Sequence, residues 1–311
     1  MLVNVDNFVR AETALQFDRI LRGARGVNRW GHLREPTPVE QQDVIRMNRD
    51  TVYSFAVVDI SSGATVTLPD ASGRYLSVMV VNEDHYLNRI LHDPGEHSLS
   101  VDEFDTGWVV LAGRILADPN DEVDLAEVHR LQDALIIDAG SRRPWRHESY
   151  DDDTLTKTRD LVLGLAAGVG DSKRTFGAKE DVDPVRHLLG TAAGWGGMPE
   201  TEAVYEMYGE PRPAGTYEVT VRDVPVDSFW SISIYNRDGY FEPNPYESYS
   251  LNSVTAEPAA DGSITISFAP EPTGHPNYLH VMDGWNYTVR YYLPQQPILD
   301  GTWTFPVPTQ V

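Results

Sequence analysis

Residues 75–86 read Tyr75-Leu76-Ser77-Val78-Met79-Val80-Val81-Asn82-Glu83-Asp84-His85-Tyr86, and residues 229–240 read Phe229-Trp230-Ser231-Ile232-Ser233-Ile234-Tyr235-Asn236-Arg237-Asp238-Gly239-Tyr240. The shared frame is aromatic, x, Ser, aliphatic, x, aliphatic, x, Asn, x, Asp, x, Tyr. Its first half is a β-strand pattern, and its second half is a polar corner. Other strands flank both copies in the same order. Val66-Thr67-Leu68 precedes the first copy and Val219-Thr220-Val221 the second; Gly107-Trp108 and Gly284-Trp285 open a later strand in each. Two related β-domains are the expectation. The copies differ at one chemically loaded position, His85 against Gly239.

Working outward, the pattern predicts strands over 51–60, 65–68, 75–81, 98–101 and 108–116, separated by Gly-, Asp- and Ser-rich turns. Strands return at 217–222, 229–235, 263–268 and 287–293. Between them the chain changes character. Helices are expected over 121–137 and 151–169, and a third begins at Asp183-Pro184, with Asp at the cap and Pro in the first turn. An N-terminal helix over 6–24 carries Phe8, Ala11, Leu15, Ile20 and Leu21 at helical spacing, with Asp6 as its cap and Gly23 and Gly26 at its end. The fold class is mostly β with α: two antiparallel β-sandwich or jelly-roll-like domains joined by a helical section. The divisions fall at 1–117, 118–205 and 206–311.

The 311 residues carry 47 acidic and 25 basic side chains, for a net charge of −22. Nucleic-acid and anionic-membrane partners need a basic surface, so neither is expected. Cysteine is absent, which excludes thiol catalysis, disulfides and metal–thiolate sites. No apolar run approaches the length of a membrane span, and Met1–Arg29 shows no secretory signal. A cytoplasmic location is the expectation, with export left open. A small-molecule ligand is the expected partner, and a homo-oligomer is compatible with the chain.

Met47-Asn48-Arg49-Asp50-Thr51-Val52-Tyr53, Leu68-Pro69-Asp70 and Gly73-Arg74-Tyr75 resemble the N-terminal domain-of-unknown-function family numbered 1254. Phe229-Trp230-Ser231-Ile232, Asp238-Gly239-Tyr240-Phe241, Tyr249-Ser250-Leu251-Asn252-Ser253 and Ile298-Leu299-Asp300-Gly301-Thr302-Trp303 resemble its C-terminal companion, numbered 1214. The resemblance spans roughly Gln42 to Pro306. It implies two β-rich domains bridged by helices and carries over no catalytic residues.

The signatures of serine hydrolases, phosphate loops, dinucleotide folds and zinc proteases are missing. The densest polar constellation is Asn82-x-Asp84-His85-Tyr86. One reading makes His85 an acid–base catalyst of a hydrolase or lyase, assisted by Asp84 or Asp50; the other makes it a structural histidine bonded within a turn. Arg49 and Arg74 are candidates to hold an anionic group, or else partners of acidic neighbours. Asn48, Tyr53, Tyr86, Trp195, Tyr240, Phe241 and Asn244 complete the candidate ligand-binding set, with the aromatic ones serving equally well as core. A non-catalytic binding protein for a small ligand or carbohydrate is an alternative. So is a metal-dependent β-barrel enzyme using His85, His92 and His97, although that spacing matches no metal signature. No cofactor is expected.

Overall fold

A computed structural model describes residues 1–42 and 45–311. The chain divides into two compact units. Unit 1 comprises Met1–Arg34, Val52–Leu116 and Glu122–Glu200; unit 2 comprises Glu35–Thr51, Ala117–Asp121 and Thr201–Val311. Among the described residues the architecture is mostly β with some helices, arranged in four open sheets whose strands pair antiparallel except for one parallel pair.

Unit 1 runs α1 (Phe8–Ala24), β1 (Gly31–His32), β2 (Thr51–Asp59), β3 (Ala64–Leu68), β4 (Leu76–Asn82), β5 (Leu87–Leu91), β6 (Gly95–Leu99), α2 (Val101–Phe104), β7 (Trp108–Leu116), α3 (Glu122–Asp133), β8 (Ile136–Ala139), α4 (Asp152–Ala166) and α5 (Pro184–Gly194). Its larger sheet has the order β1-β2-β7-β4-β5, and its smaller sheet β6-β3-β8. Every residue of β4 is buried, so this sheet is covered on both faces. That is why β4 reads as a nearly continuous apolar run rather than an alternating one.

The start of α5 is as expected: Asp183 accepts from Val185 N and Arg186 N ahead of Pro184. At α4 the cap is Asp151, which accepts from Thr154 N. At α1 the expected cap is displaced. Asn7 stands at the N-cap, with its Oδ1 taken by Asn4 N, and Asp6 lies outside the helix. Gly23 sits within α1, which ends instead at left-handed Arg25 (φ 58°). The helix predicted over 121–137 stops at Asp133, because Ile136–Ala139 pairs with β3 as β8.

Unit 2 contains β9 (Ala203–Arg212), β10 (Tyr217–Val221), β11 (Trp230–Tyr235), β12 (Ser250–Asn252), β13 (Ile264–Ala269), β14 (Tyr278–His280), β15 (Trp285–Tyr292), α6 (Gln296–Leu299) and β16 (Thr309–Gln310). Its sheets have the orders β12-β11-β15-β9 and β14-β13-β10-β16. Strand periodicity sends alternate side chains to opposite faces. Trp285, Tyr287, Val289 and Tyr291 therefore join Trp230, Ile232, Ile234, Ile266 and Phe268 in one core. Burying each such side chain stabilises the fold by about 1.5–3 kcal/mol. The opposite face of β11 and β15 carries Ser231, Ser233, Thr288 and Arg290, which are buried as well.

Candidate functional site

The polar corner after β4 is built by one asparagine. Asn82 Oδ1 accepts from Asp84 N and Tyr86 N, both at 2.9 Å. Its backbone N–H donates to Tyr86 O, and its carbonyl accepts from His85 N. Closing this turn puts His85 at φ 62°, a left-handed conformation that few non-glycine residues adopt.

The His85 side chain is fully buried. Gly196 N–H donates to its Nε2 at 2.9 Å, so Nε2 carries no proton. The proton is thereby assigned to Nδ1, which donates to Thr191 Oγ1 at 2.8 Å. Thr191 in turn donates to His187 O. The ring stacks on Trp195 at 5.2 Å and on His187 at 5.4 Å. Burial, with His187 adding to it, pushes the His85 pKa well below the ordinary imidazole value. Both ring nitrogens are engaged, and none is left for a substrate. His187 donates from Nε2 to Asp84 O, and its ring stacks on Tyr86 at 4.5 Å. His85 thus ties the corner to α5 and to the turn that follows it.

Beside the corner lies a cleft of about 350 Å³ lined by Arg10, Glu83, Arg146, His147, Glu148 and Tyr150. Arg10 of α1 grips the corner with both arms, Nη2 to Glu83 Oε2 at 2.6 Å and Nη1 to Asp84 Oδ1 at 2.7 Å. The Glu83 side chain is only 10% exposed, against 45% for Asp84. Burial raises the Glu83 pKa, with Arg10 pulling the other way. Burial also raises the Tyr150 phenol. The far wall is the segment 145–150, pinned to α1 at Asp18. Trp145 Nε1 donates to Asp18 Oδ1 at 3.1 Å, and His147 Nε2 lies 3.0 Å from Asp18 Oδ2. Trp145 also packs on Phe17 at 4.7 Å.

The other candidates divide between the units. In unit 1, Trp195 donates to Thr13 Oγ1 while stacking on His85. Tyr53 lies under the Arg114 guanidinium. Arg74 is committed to Asp124 and to Leu116 O. In unit 2, Asp50 is buried and accepts from Ser231 Oγ at 2.5 Å, while its Oδ1 has no hydrogen-bond partner among the described residues. Burial raises its pKa against the pull of Arg290 and Ser231. Asn48 bonds Tyr292 OH and Thr51 and accepts from Asp50 N. Arg49 bonds Thr37 O and sits over the Tyr249 ring. Phe241 packs in a small core with Val39 and Tyr235. Asn244 staples its own loop through Tyr246 N and Ser248 N. Tyr240 is half-buried at the end of the second corner.

The metal arrangement does not assemble. His92 lies against Leu76 O, His97 against Asp93 O, and both His85 nitrogens are taken. Among the described residues no group of three or more His, Asp or Glu side chains is placed to hold a metal ion.

Sequence reading missed Glu83, His187, Thr191, Arg146 and Glu148 in unit 1, and Ser231 and Arg290 in unit 2. One signal for Ser231 was present: a serine repeated near the start of both frame strands, buried in each.

The fold and these sites belong to a two-unit, mostly β protein with some helices. Residues 27–98 match the family described as a protein of unknown function, DUF1254, and residues 208–296 match the one described as a protein of unknown function, DUF1214. The chain is a two-domain protein of these families, with the 1254 segment N-terminal and the 1214 segment C-terminal. It shares its fold with the VPA0106 protein of Vibrio parahaemolyticus, at 17% identity and a TM-score of 0.76 over 99% of this chain and 100% of that one. An uncharacterised protein of Burkholderia cenocepacia is similar at 16% identity and a TM-score of 0.52, over 94% of this chain and 84% of that one. No curated protein matches the chain.

Proposed function

We propose that the protein is a small-molecule enzyme of hydrolase or lyase type working at the cleft beside the Asn82–Tyr86 corner. One observation carries this reading: Glu83 is a mostly buried carboxyl with a raised pKa on the wall of a ligand-sized cleft. Perturbed carboxyls in clefts are where acid–base chemistry concentrates. In this reading Glu83 takes a proton from the attacking water or the substrate and returns it to the leaving group. Arg10 holds Glu83 in place, and Asp84 shares that grip. His85 is a positioning residue, fixing the corner from behind.

A non-catalytic binding module at the same cleft is the second reading. It is favoured by the bonds Glu83 already makes, to Arg10 at 2.6 Å and to Trp108 N at 3.3 Å. Broad hydrolase and lyase screening of the wild type beside Glu83→Gln separates the two. The enzyme reading expects Glu83→Gln to lower turnover by roughly 10²–10⁴-fold with ligand affinity retained. Turnover that survives Glu83→Gln removes Glu83 as the base. Binding without turnover in the wild type favours the module.

We read residues 1–117 and 206–311 as duplicated sandwich or jelly-roll domains, joined in sequence by the helical section 118–205. Among the described residues no helix is long and apolar enough to cross a membrane. We propose a cytoplasmic protein, alone or as a homo-oligomer, whose acidic surface turns away nucleic acid and anionic lipid.

A further inference from the structure

We infer that the cleft of unit 1 takes a small zwitterion of the amino-acid class, its carboxylate on Arg146 and its ammonium on Glu148. The inference rests on the reading that this cleft is the ligand site. Of the charged groups lining it, Arg10 and Glu83 are bonded to each other, and Arg10 also to Asp84. His147 is bonded to Asp18. Arg146 and Glu148 are different: neither side chain makes a hydrogen bond or ion pair among the described residues. The cleft therefore presents one uncommitted cation and one uncommitted anion.

Both side chains are solvent-exposed, and the backbone that carries them is held by its neighbours. Trp145 and His147 both bond Asp18, which holds the segment against α1 and leaves Arg146 and Glu148 to line the opening. Two residues apart, their Cα atoms stand within ~7 Å, a span that a guanidinium and a carboxylate can close around one small molecule. Guanidinium suits a carboxylate because its paired N–H groups match the two oxygens.

Charge selects further. With a net charge of −22 the chain repels simple anions at long range, and Glu83, Asp84 and Glu148 repel them locally. A neutral zwitterion approaches without that penalty and still offers Arg146 its anion. The parallel rings of His147 and Tyr150, 6.0 Å apart between centroids, form a wall for an apolar side chain.

The test begins with a thermal-shift screen of the twenty common amino acids at about 10 mM, where a specific ligand raises the melting temperature by mass action. The best binder is then compared by titration calorimetry with its N-acetyl and methyl-ester derivatives, on wild type, Arg146→Ser and Glu148→Gln. The expected result is at least about tenfold weaker binding for each derivative and for each variant. Glu148→Gln should not weaken the N-acetyl compound further, because that compound has no ammonium to lose. The inference is overturned if no amino acid binds, or if the N-acetyl derivative binds as tightly as its parent. Amino-acid binding without any turnover leaves the inference standing and removes the enzyme reading. Turnover lost in Glu83→Gln, with no amino-acid binding, does the reverse.

Discussion

The corner at 82–86 in unit 1 and the corner at 236–240 in unit 2 are the same turn built from different residues. Asn236 Oδ1 accepts from Asp238 N and Tyr240 N, Asn236 N donates to Tyr240 O, and Gly239 N donates to Asn236 O. Asn82 makes each corresponding bond. The fourth position is left-handed in both, at φ 62° for His85 and 87° for Gly239. Glycine takes that conformation at no steric cost, and an L-residue pays roughly 1–2 kcal/mol. His85 is therefore an expensive choice, offset by its bonds to Gly196 and Thr191. The sequence difference that looked like added catalytic chemistry is, in the fold, an added tie between a corner and a helix.

A second comparison runs through the strands. Ser77 of β4 lies opposite Arg114 of β7, and Ser231 of β11 lies opposite Arg290 of β15. The register is alike, but the surroundings are not. Arg114 is half-buried and donates to Gly196 O. Arg290 is fully buried and donates to Ser233 Oγ, Tyr235 OH and Arg46 O, with Asp50 nearby as its countercharge.

Breaking that pair of pairs should show the largest effect. Arg290→Ala leaves the Asp50 charge buried without compensation and should cost about 3–5 kcal/mol in urea unfolding. Arg114→Ala should cost about 1 kcal/mol. Equal losses would mean that burial does not distinguish the two arginines.

Exchanging the corners comes next. His85→Gly relieves the backbone but removes two buried hydrogen bonds and leaves a cavity under Trp195. A net loss of about 2–3 kcal/mol is expected. A variant as stable as the wild type would show that the tie to α5 contributes nothing.

Titration sharpens the same contrast. The folded-state pKa values of His85 and His187 are depressed, chiefly by burial. The unfolded chain therefore binds protons first as pH falls. Stability should be complete above about pH 6.5 and decline below it, approaching about 1.4 kcal/mol per pH unit for each histidine. Chemical unfolding across pH 5–8 should show a shallower decline in His85→Asn, which keeps a residue tolerant of positive φ. An unchanged slope would place the acid sensitivity elsewhere.

The smallest effect belongs to Gly239→Ala. The added Cβ would meet Ile45 at an ordinary 3.4 Å, so only the left-handed backbone is penalised. A loss of about 1 kcal/mol is expected, read as a small drop in melting temperature. A loss above about 3 kcal/mol would mean that packing, not backbone, governs the site.

The sequence by itself determined what depends on near neighbours. The span of β7, the Asp183 cap of α5, and the repeated corner were all legible, because each is set by side-chain alternation or by bonds closing within four residues. It did not determine β9. Ala203–Arg212 mixes Tyr, Glu, Met and Gly, and is a strand because it pairs with β15 at the edge of its sheet. Nor could it set Asp50 against Ser231, 181 residues away, or bring Arg10 to Glu83 across 73. Periodicity tells which way a side chain faces along its own strand. Only the order of strands in the sheet, and the segment laid across it, decides what that side chain meets. That is why the corner could be read from the chain, while the cleft beside it had to be seen.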